Sequence, residues 1–393
     1  MVWDRFFLGL QDLARRRAYL DWNATAPVLP DVAEAVARAL ELGNPSSVHA
    51  EGRAARAAIE KARAEVAALV GAEPGQVTFT SGATEAAAMA LQPVSTEETL
   101  FVGASEHPCI RAGGGFDALR RHVMPVDEAG RFDFAALAEV AGGRARPDLI
   151  HVAVQAANNE TGVLNDGNAI ARLKAQGFTV TCDAVQAAGK LRLDARTLGA
   201  DFLLLSAHKI GGPKGVGALI ARADACGGVR PLLRGGGQER GLRAGTENVA
   251  GIVGFGVAAR LAQARLPEME RVRTLRDRFE RDLRSLAPDV VVFGAQATRL
   301  PNTSLFAIPG LRAETAVIAF DLDGVAVSSG SACSSGKVGR NAVLDAMGIS
   351  SALADGAIRV SLGWTSDEDD INQALDSVRR QLTRVAPRRQ SAA

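Results

Sequence analysis

The stretch Asp201-Phe-Leu-Leu-Leu-Ser-Ala-His-Lys-Ile-Gly-Gly-Pro-Lys-Gly-Val-Gly217 decides how this chain is read. Residues 202–205 are a short unbroken apolar run, the pattern of a strand buried on both faces. The run leads into Ser206, His208 and Lys209, and then into a loop of four glycines and a proline. In an open α/β sheet, ligands bind just beyond the carboxyl ends of the strands, so Lys209 is expected where chemistry is done. A lysine there can form a Schiff base if burial lowers its pKa. The glycines let backbone N–H groups approach a ligand closely. Alone, the stretch fits a solvated lysine in a glycine-rich turn equally well, and the rest of the chain has to decide.

The 393 residues, 47% of them hydrophobic, suffice for two domains with large cores. Net charge is +1, so no global field favours nucleic acid or a membrane surface. Cys109, Cys182, Cys226 and Cys333 are far apart and lack C-x-x-C spacing. That argues against a disulfide framework or a metal site, and for a reducing, cytoplasmic setting. The first residues carry an early acid and too short an apolar run for a signal peptide, and no apolar stretch is long enough for a bilayer.

Strand-like runs at 77–80, 100–104, 123–126, 149–154, 178–182, 202–205 and 216–221 alternate with helical ones. This predicts an α/β fold whose large domain holds a mainly parallel seven-stranded sheet sandwiched by helices. Helical stretches near 247–264 and 267–286 then change the rhythm. A smaller α+β pattern follows, with strands near 290–293, 304–308, 325–328 and 357–361. The expected division is 19–262 for the large domain, with 1–18, holding a short amphipathic helix over 4–18, joining 263–393 in the small one. The tail from Pro387 is expected to be disordered.

Four further constellations converge on Lys209. Thr80-Ser81-Gly82-Ala83-Thr84-Glu85 is a strand end entering a helix, a place suited to phosphate and equally to a simple N-cap. Asp183 follows a buried strand, with Gln186 one turn on; beside a Schiff-base lysine its carboxylate suits a protonated pyridine nitrogen, and otherwise it reads as a cap. His107 lies just past the strand at 100–104, where a ligand ring can stack on it. Asn158-Asn159-Glu160-Thr161-Gly162 follows the strand at 149–154.

Together these residues resemble the cysteine desulfurases of the class V aminotransferase family, pyridoxal phosphate (PLP) enzymes of fold type I. The match runs from Tyr19 to about Thr365. It includes Leu20-Asp21-x-Asn23-Ala24-Thr25, Gly43-Asn44-Pro45-Ser46-Ser47-x-His49 and the Thr80–Glu85, His107, Asn159 and Asp183 segments above. It continues through Ser206-x-His208-Lys209, Gly235-Gly236-Gly237-Gln238-Glu239-Arg240-Gly241-x-Arg243-x-Gly245-Thr246, Ser329-Gly330-Ser331-Ala332-Cys333 and Ile358-Arg359-Val360-Ser361. The resemblance implies that Lys209 carries PLP as a Schiff base, that Asp183 pairs with its ring nitrogen and that Gln186 reaches its ring oxygen. His107 stacks on the ring, while Ala83, Thr84, Ser206 and His208 hold the phosphate. Thr246 reaches the phosphate of a neighbouring subunit, which implies a homodimer. Asn159 and Arg359 orient L-cysteine, and Cys333 takes its sulfur as a persulfide for an acceptor protein.

After Cys333, the segment Ser334-Ser335-Gly336-Lys337-Val338-Gly339-Arg340-Asn341 departs from the family's usual pattern, which bears on the acceptor rather than the PLP site. With so little apolar content, 334–340 is expected to be a mobile loop. The competing readings are a relative acting on selenocysteine or another β-substituted amino acid, and a PLP-fold sulfur carrier without turnover. A nucleotide-binding module is disfavoured by the absence of a P-loop or Rossmann glycine pattern.

Overall fold

The computed structural model describes residues 17–141, 146–330 and 341–390. The helix expected over 4–18 lies outside them except at its end, where Ala18–Tyr19 is already strand β1. Strands β2 (Val77–Thr80), β3 (Thr99–Gly103), β4 (Arg121–Met124), β5 (Ile150–Gln155), β6 (Thr179–Asp183), β7 (Phe202–Ser206) and β8 (Gly217–Ala221) form one sheet. Their order is β2-β8-β7-β6-β5-β3-β4, and only β8 runs against its neighbours. The expected seven-stranded, mainly parallel sheet is what forms.

The apolar runs are continuous because both faces are covered. In β7, Leu203 and Leu205 enter one core and Phe202 and Leu204 the other. Ile59 and Val66 of the helix Ala50–Leu69 and Phe255 of the helix Val249–Ala264 build the first core. Ala86, Ala87 and Met89 of the helix Ala83–Ala90 build the second. The first helix pair packs backbone to backbone, since a Cβ on Gly256 would lie 2.5 Å from Ala62 Cα. Strand β4 starts two residues earlier than expected and stops at Met124, because Pro125 has no N–H to extend a ladder.

A second sheet, in the order β12-β13-β10-β9, is antiparallel throughout and consists of Ser328–Ser329 (β12), Ile358–Ser361 (β13), Thr303–Ala307 (β10) and Val291–Val292 (β9). The single strand expected at 325–328 is in fact two. Val325–Ala326 (β11) pairs parallel with β1, whereas Ser328–Ser329 pairs with β13, and buried Val327 marks the change of partner. The division proposed near residue 262 falls in the last turn of the helix Val249–Ala264, just before the next helix, Met269–Leu286, starts. The last helix, Glu368–Gln390, continues through Pro387, where a disordered tail was expected. Its buried Ile371, Ala374, Leu375 and Val378 anchor it upstream, and a proline this near the end removes only one helical bond. Among the described residues, no single helix is long and apolar enough to cross a bilayer.

The glycine-rich loop 235–246 is fastened to this frame by a buried ion pair. Arg63 donates to both oxygens of Glu239, at 2.8 and 2.7 Å, and to the Val77 carbonyl at 2.9 Å. Glu239 also accepts from the Phe79 N–H at 2.8 Å. Glu239 and Arg240 both take left-handed backbone angles, φ 46° and 58°, which cost non-glycine residues about 1–2 kcal/mol each. The ion pair holds this strain in place. Glu239→Ala should lower the unfolding free energy by about 3–5 kcal/mol, because buried Arg63 then loses its two-pronged counter-charge and keeps the more exposed Glu60, 3.2 Å from its Nε. Urea denaturation checks this, and an Arg63→Met/Glu239→Leu double variant should lose less than the single one.

Candidate active site

One cavity of about 640 Å³ opens along the carboxyl edge of the large sheet. Ala83 and Thr84 follow β2, His107 follows β3 and Asn159 follows β5. Asp183 ends β6, with Gln186 beyond it, and Ser206, His208 and Lys209 end or follow β7. Arg359 reaches the same cavity from β13 of the second sheet. The topology thus brings ten expected residues together.

Lys209 is half-buried in a tight turn after β7, and its Nζ donates to the carbonyls of Asn23 at 2.6 Å and Ala24 at 2.9 Å. Asp183 is half-buried on the cavity wall, and its Oδ1 accepts the Val185 N–H at 2.9 Å. It is therefore a turn cap and a cavity carboxylate at once. Burial pushes its carboxyl up, against the Val185 N–H and the nearby His107 and Lys209. His107 caps the short helix Pro108–Arg111. Its Nδ1 accepts the Cys109 N–H at 3.2 Å and lies 2.9 Å from Cys109 Sγ, so the imidazole proton is on Nε2. Burial lowers its pKa, with Lys209 adding and Asp183 opposing. Burial, then Lys209 and Lys214, takes His208 down to about 4.

The helix Ala83–Ala90 starts at the cavity, where first-turn N–H groups and the helix dipole favour an anion. A Cβ on Gly217 would lie 2.7 Å from Gly82 Cα and 2.6 Å from the Leu205 carbonyl oxygen, so only glycine lets this entry sit so close to β7 and β8. Arg359 Nη1 donates to Glu160 Oε1 at 2.7 Å and to the Asn159 carbonyl at 3.1 Å. Its Nη2 donates to Asp21 Oδ1 at 2.9 Å.

Two expected residues stand apart. Thr246 lines a neighbouring cavity of about 210 Å³, which shares Ser81 and Gly215 with the first. Cys333 and the segment 334–340 lie outside the described residues. Conversely, Asp21, Asn23 and Cys109 line the main cavity, and Lys190 supports it from below by donating to Asn23 Oδ1 at 2.9 Å and Gln186 Oε1 at 2.7 Å. Asp21 and Asn23 stood in a quoted motif without a role. Nothing in the sequence marks Lys190 or Cys109.

The donor set fits PLP. A cavity-facing carboxylate with, among the described residues, a backbone N–H bonded to it, in surroundings that disfavour its charge, would be completed by a cationic ring nitrogen. A helix entry suits a phosphate, and Lys209 offers an amine between the two.

The chain matches the family model described as aminotransferase class-V over residues 18–374. It is 38% identical to a cysteine desulfurase of Dictyoglomus turgidum, covering 96% of this chain and 98% of that one. The solved NifS-like protein from Rickettsia africae superposes with a TM-score of 0.85 at 33% identity, covering 93% of this chain and 99% of that one. SspA in complex with cysteine superposes with a TM-score of 0.75 at 27% identity, covering 88% and 98%.

The lowered pKa of His208 gives a pH dependence. The unfolded state takes up this proton first as pH falls. The contribution is complete above the ordinary histidine value of 6.5 and is lost as pH drops toward about 4. His208→Gln should therefore lose less stability than the wild type between those limits, as read from urea midpoints across that range.

Proposed function

The chain belongs to the class-V aminotransferase family, within its cysteine desulfurases, and we propose that it converts L-cysteine to L-alanine with PLP, taking the sulfur onto Cys333 as a persulfide. The observation that carries this reading is the shared cavity of Lys209, Asp183, His107 and Arg359. Near-full-length identity to curated cysteine desulfurases supports it further.

Bound here, PLP supplies an electron sink that makes the Cα proton of an amino acid labile. Lys209 would hold the cofactor and, its amine free, would be the base placed for that proton. Asp183 would pair with the ring nitrogen, and Gln186, its amide held by the Asn23 carbonyl and Lys190, would lie beside the ring oxygen. His107 presents a neutral imidazole with Nε2–H to the cavity. Ala83, Thr84, Ser206 and His208 cradle the phosphate. Arg359 grips the substrate carboxylate with Asn159 beside it. The Cys333 thiolate attacks the substrate sulfur, the S–S bond forms as the Cβ–S bond breaks, and the carbon fragment takes up protons and leaves as alanine. Burial pushes the Cys109 thiol up to about 12 and also raises Cys182, so both stay protonated and are poor nucleophiles. That favours Cys333 as acceptor.

In this reading the enzyme is a cytoplasmic homodimer, with Thr246 of the stapled loop completing a neighbour's phosphate site, and it passes sulfur to an acceptor protein. Sedimentation equilibrium should give a dimer, and a fully active monomer would overturn this part. With L-cysteine and a reductant, the purified protein should release sulfide and alanine in equal amounts. Lys209→Ala should fold but lack the visible absorbance of lysine-bound PLP. Cys333→Ser should bind cysteine yet release almost no sulfide. Wild-type sulfide release from that variant, or a persulfide found by mass spectrometry on Cys109, Cys182 or Cys226, would overturn the role of Cys333.

A further inference from the structure

Arg359, almost wholly buried on β13, already holds two carboxylates, and it holds them unequally. Glu160 is buried, its Oε1 accepts from Asn159 Nδ2 at 2.7 Å as well as from Arg359, and its N–H is fixed on Asn158 Oδ1 at 2.9 Å. It has little room to move. Asp21 differs on each count. Its side chain is 21% exposed and lines the cavity, and its carboxylate makes one hydrogen bond among the described residues, to Arg359 Nη2. Its backbone is held separately, the carbonyl accepting the Ala24 N–H at 3.1 Å, so the side chain can swing without disturbing the chain.

A substrate α-carboxylate would be the third on one guanidinium. In a largely buried place, three carboxylates on one cation repel one another strongly. One has to leave, and only Asp21 can. We infer that Asp21 is an internal stand-in for the substrate carboxylate: it aligns Arg359 in the resting enzyme and is displaced when an α-amino acid enters. This rests on reading Arg359 as the carboxylate clamp. Binding of every amino acid then breaks the Asp21–Arg359 pair. An amine without a carboxylate leaves that pair intact, so Asp21 sets the affinity for amino acids and not for amines.

The test uses the holoenzyme and two ligands differing only in the carboxylate, L-alanine and ethylamine, titrated by cofactor absorbance. Asp21→Asn should bind L-alanine about two- to fivefold tighter than wild type, the scale of a part-exposed ion pair, with ethylamine unchanged. Asp21→Ser, which removes the charge by a different side chain, should behave the same way and guards against a folding defect peculiar to one variant. Glu160→Gln should move L-alanine the opposite way, because it loosens the fixed side of the clamp. Weaker or unchanged L-alanine binding in both Asp21 variants, or equal tightening for both ligands, would overturn the proposal. Sulfide release from L-cysteine by the wild type tests the desulfurase reading separately, since the alanine titration needs no turnover.

Discussion

The cavity's two sides are tied together by one buried asparagine. Asn23 donates its N–H to Ser361 Oγ at 3.0 Å and its side-chain amide to the Asn159 carbonyl at 3.1 Å and Thr303 Oγ1 at 2.9 Å. Its Oδ1 accepts from Lys190 Nζ at 2.9 Å and Asn302 Nδ2 at 3.1 Å. Its carbonyl accepts from Lys209 Nζ at 2.6 Å and Gln186 Nε2 at 3.0 Å. The side chain uses both donors and both acceptor sites, so its amide cannot flip without setting carbonyl against carbonyl. Ser361, Thr303 and Asn302 belong to the second sheet or its border; Lys209, Gln186 and Asn159 belong to the large one. One residue, through its side chain and its backbone carbonyl, therefore ties the edge that carries the amine to the sheet that carries Arg359.

Lys190 supports this hub in a way its charge would not suggest. Burial, reinforced by Lys209 and Arg359, pushes its pKa well down. Lys190 donates to Asn23 and Gln186. It thus orients the Gln186 amide, and burial disfavours a further cation beneath the cavity. Lys209, Lys214 and Arg359 line the cavity as the cations that a phosphate-bearing cofactor and a carboxylate ligand would meet.

The large sheet was legible because its strands are runs such as 202–205 and 149–154, buried on both faces and bounded by glycine and polar turns. The site was legible for the same reason. Once those strands are parallel, the polar residue after each one must share an edge, and Asp183, His107, Asn159 and Lys209 do. What the sequence hid depends on contacts between distant segments. The split at Val327 follows from two different partners, β1 and β13, which no local pattern reveals. Lys190 looks like any helix-flanking lysine until Asn23 and Gln186 are brought to its Nζ. The burial that holds Cys109 as a thiol beside His107 is a property of the packed cavity, not of the residues around it.

The same packing decides which of two neighbouring carboxyls carries charge. Glu106 precedes His107 and is buried, with Oε1 accepting the Gln155 N–H at 2.8 Å and Oε2 without a hydrogen-bond partner among the described residues. Burial, then the charge of Asp183, pushes it well up. Asp183 feels burial too, but His107 and Lys209 pull the other way, and its carboxylate borders the cavity. Two carboxyls whose environments differ in this way are pushed apart in pKa. Glu106 feels the stronger upward push, while His107 and Lys209 favour the charge of Asp183, the carboxyl that a cationic ring nitrogen would meet. The strand-end placement supplies the carboxyl, and the cations around it, absent around Glu106, oppose the effect of its burial.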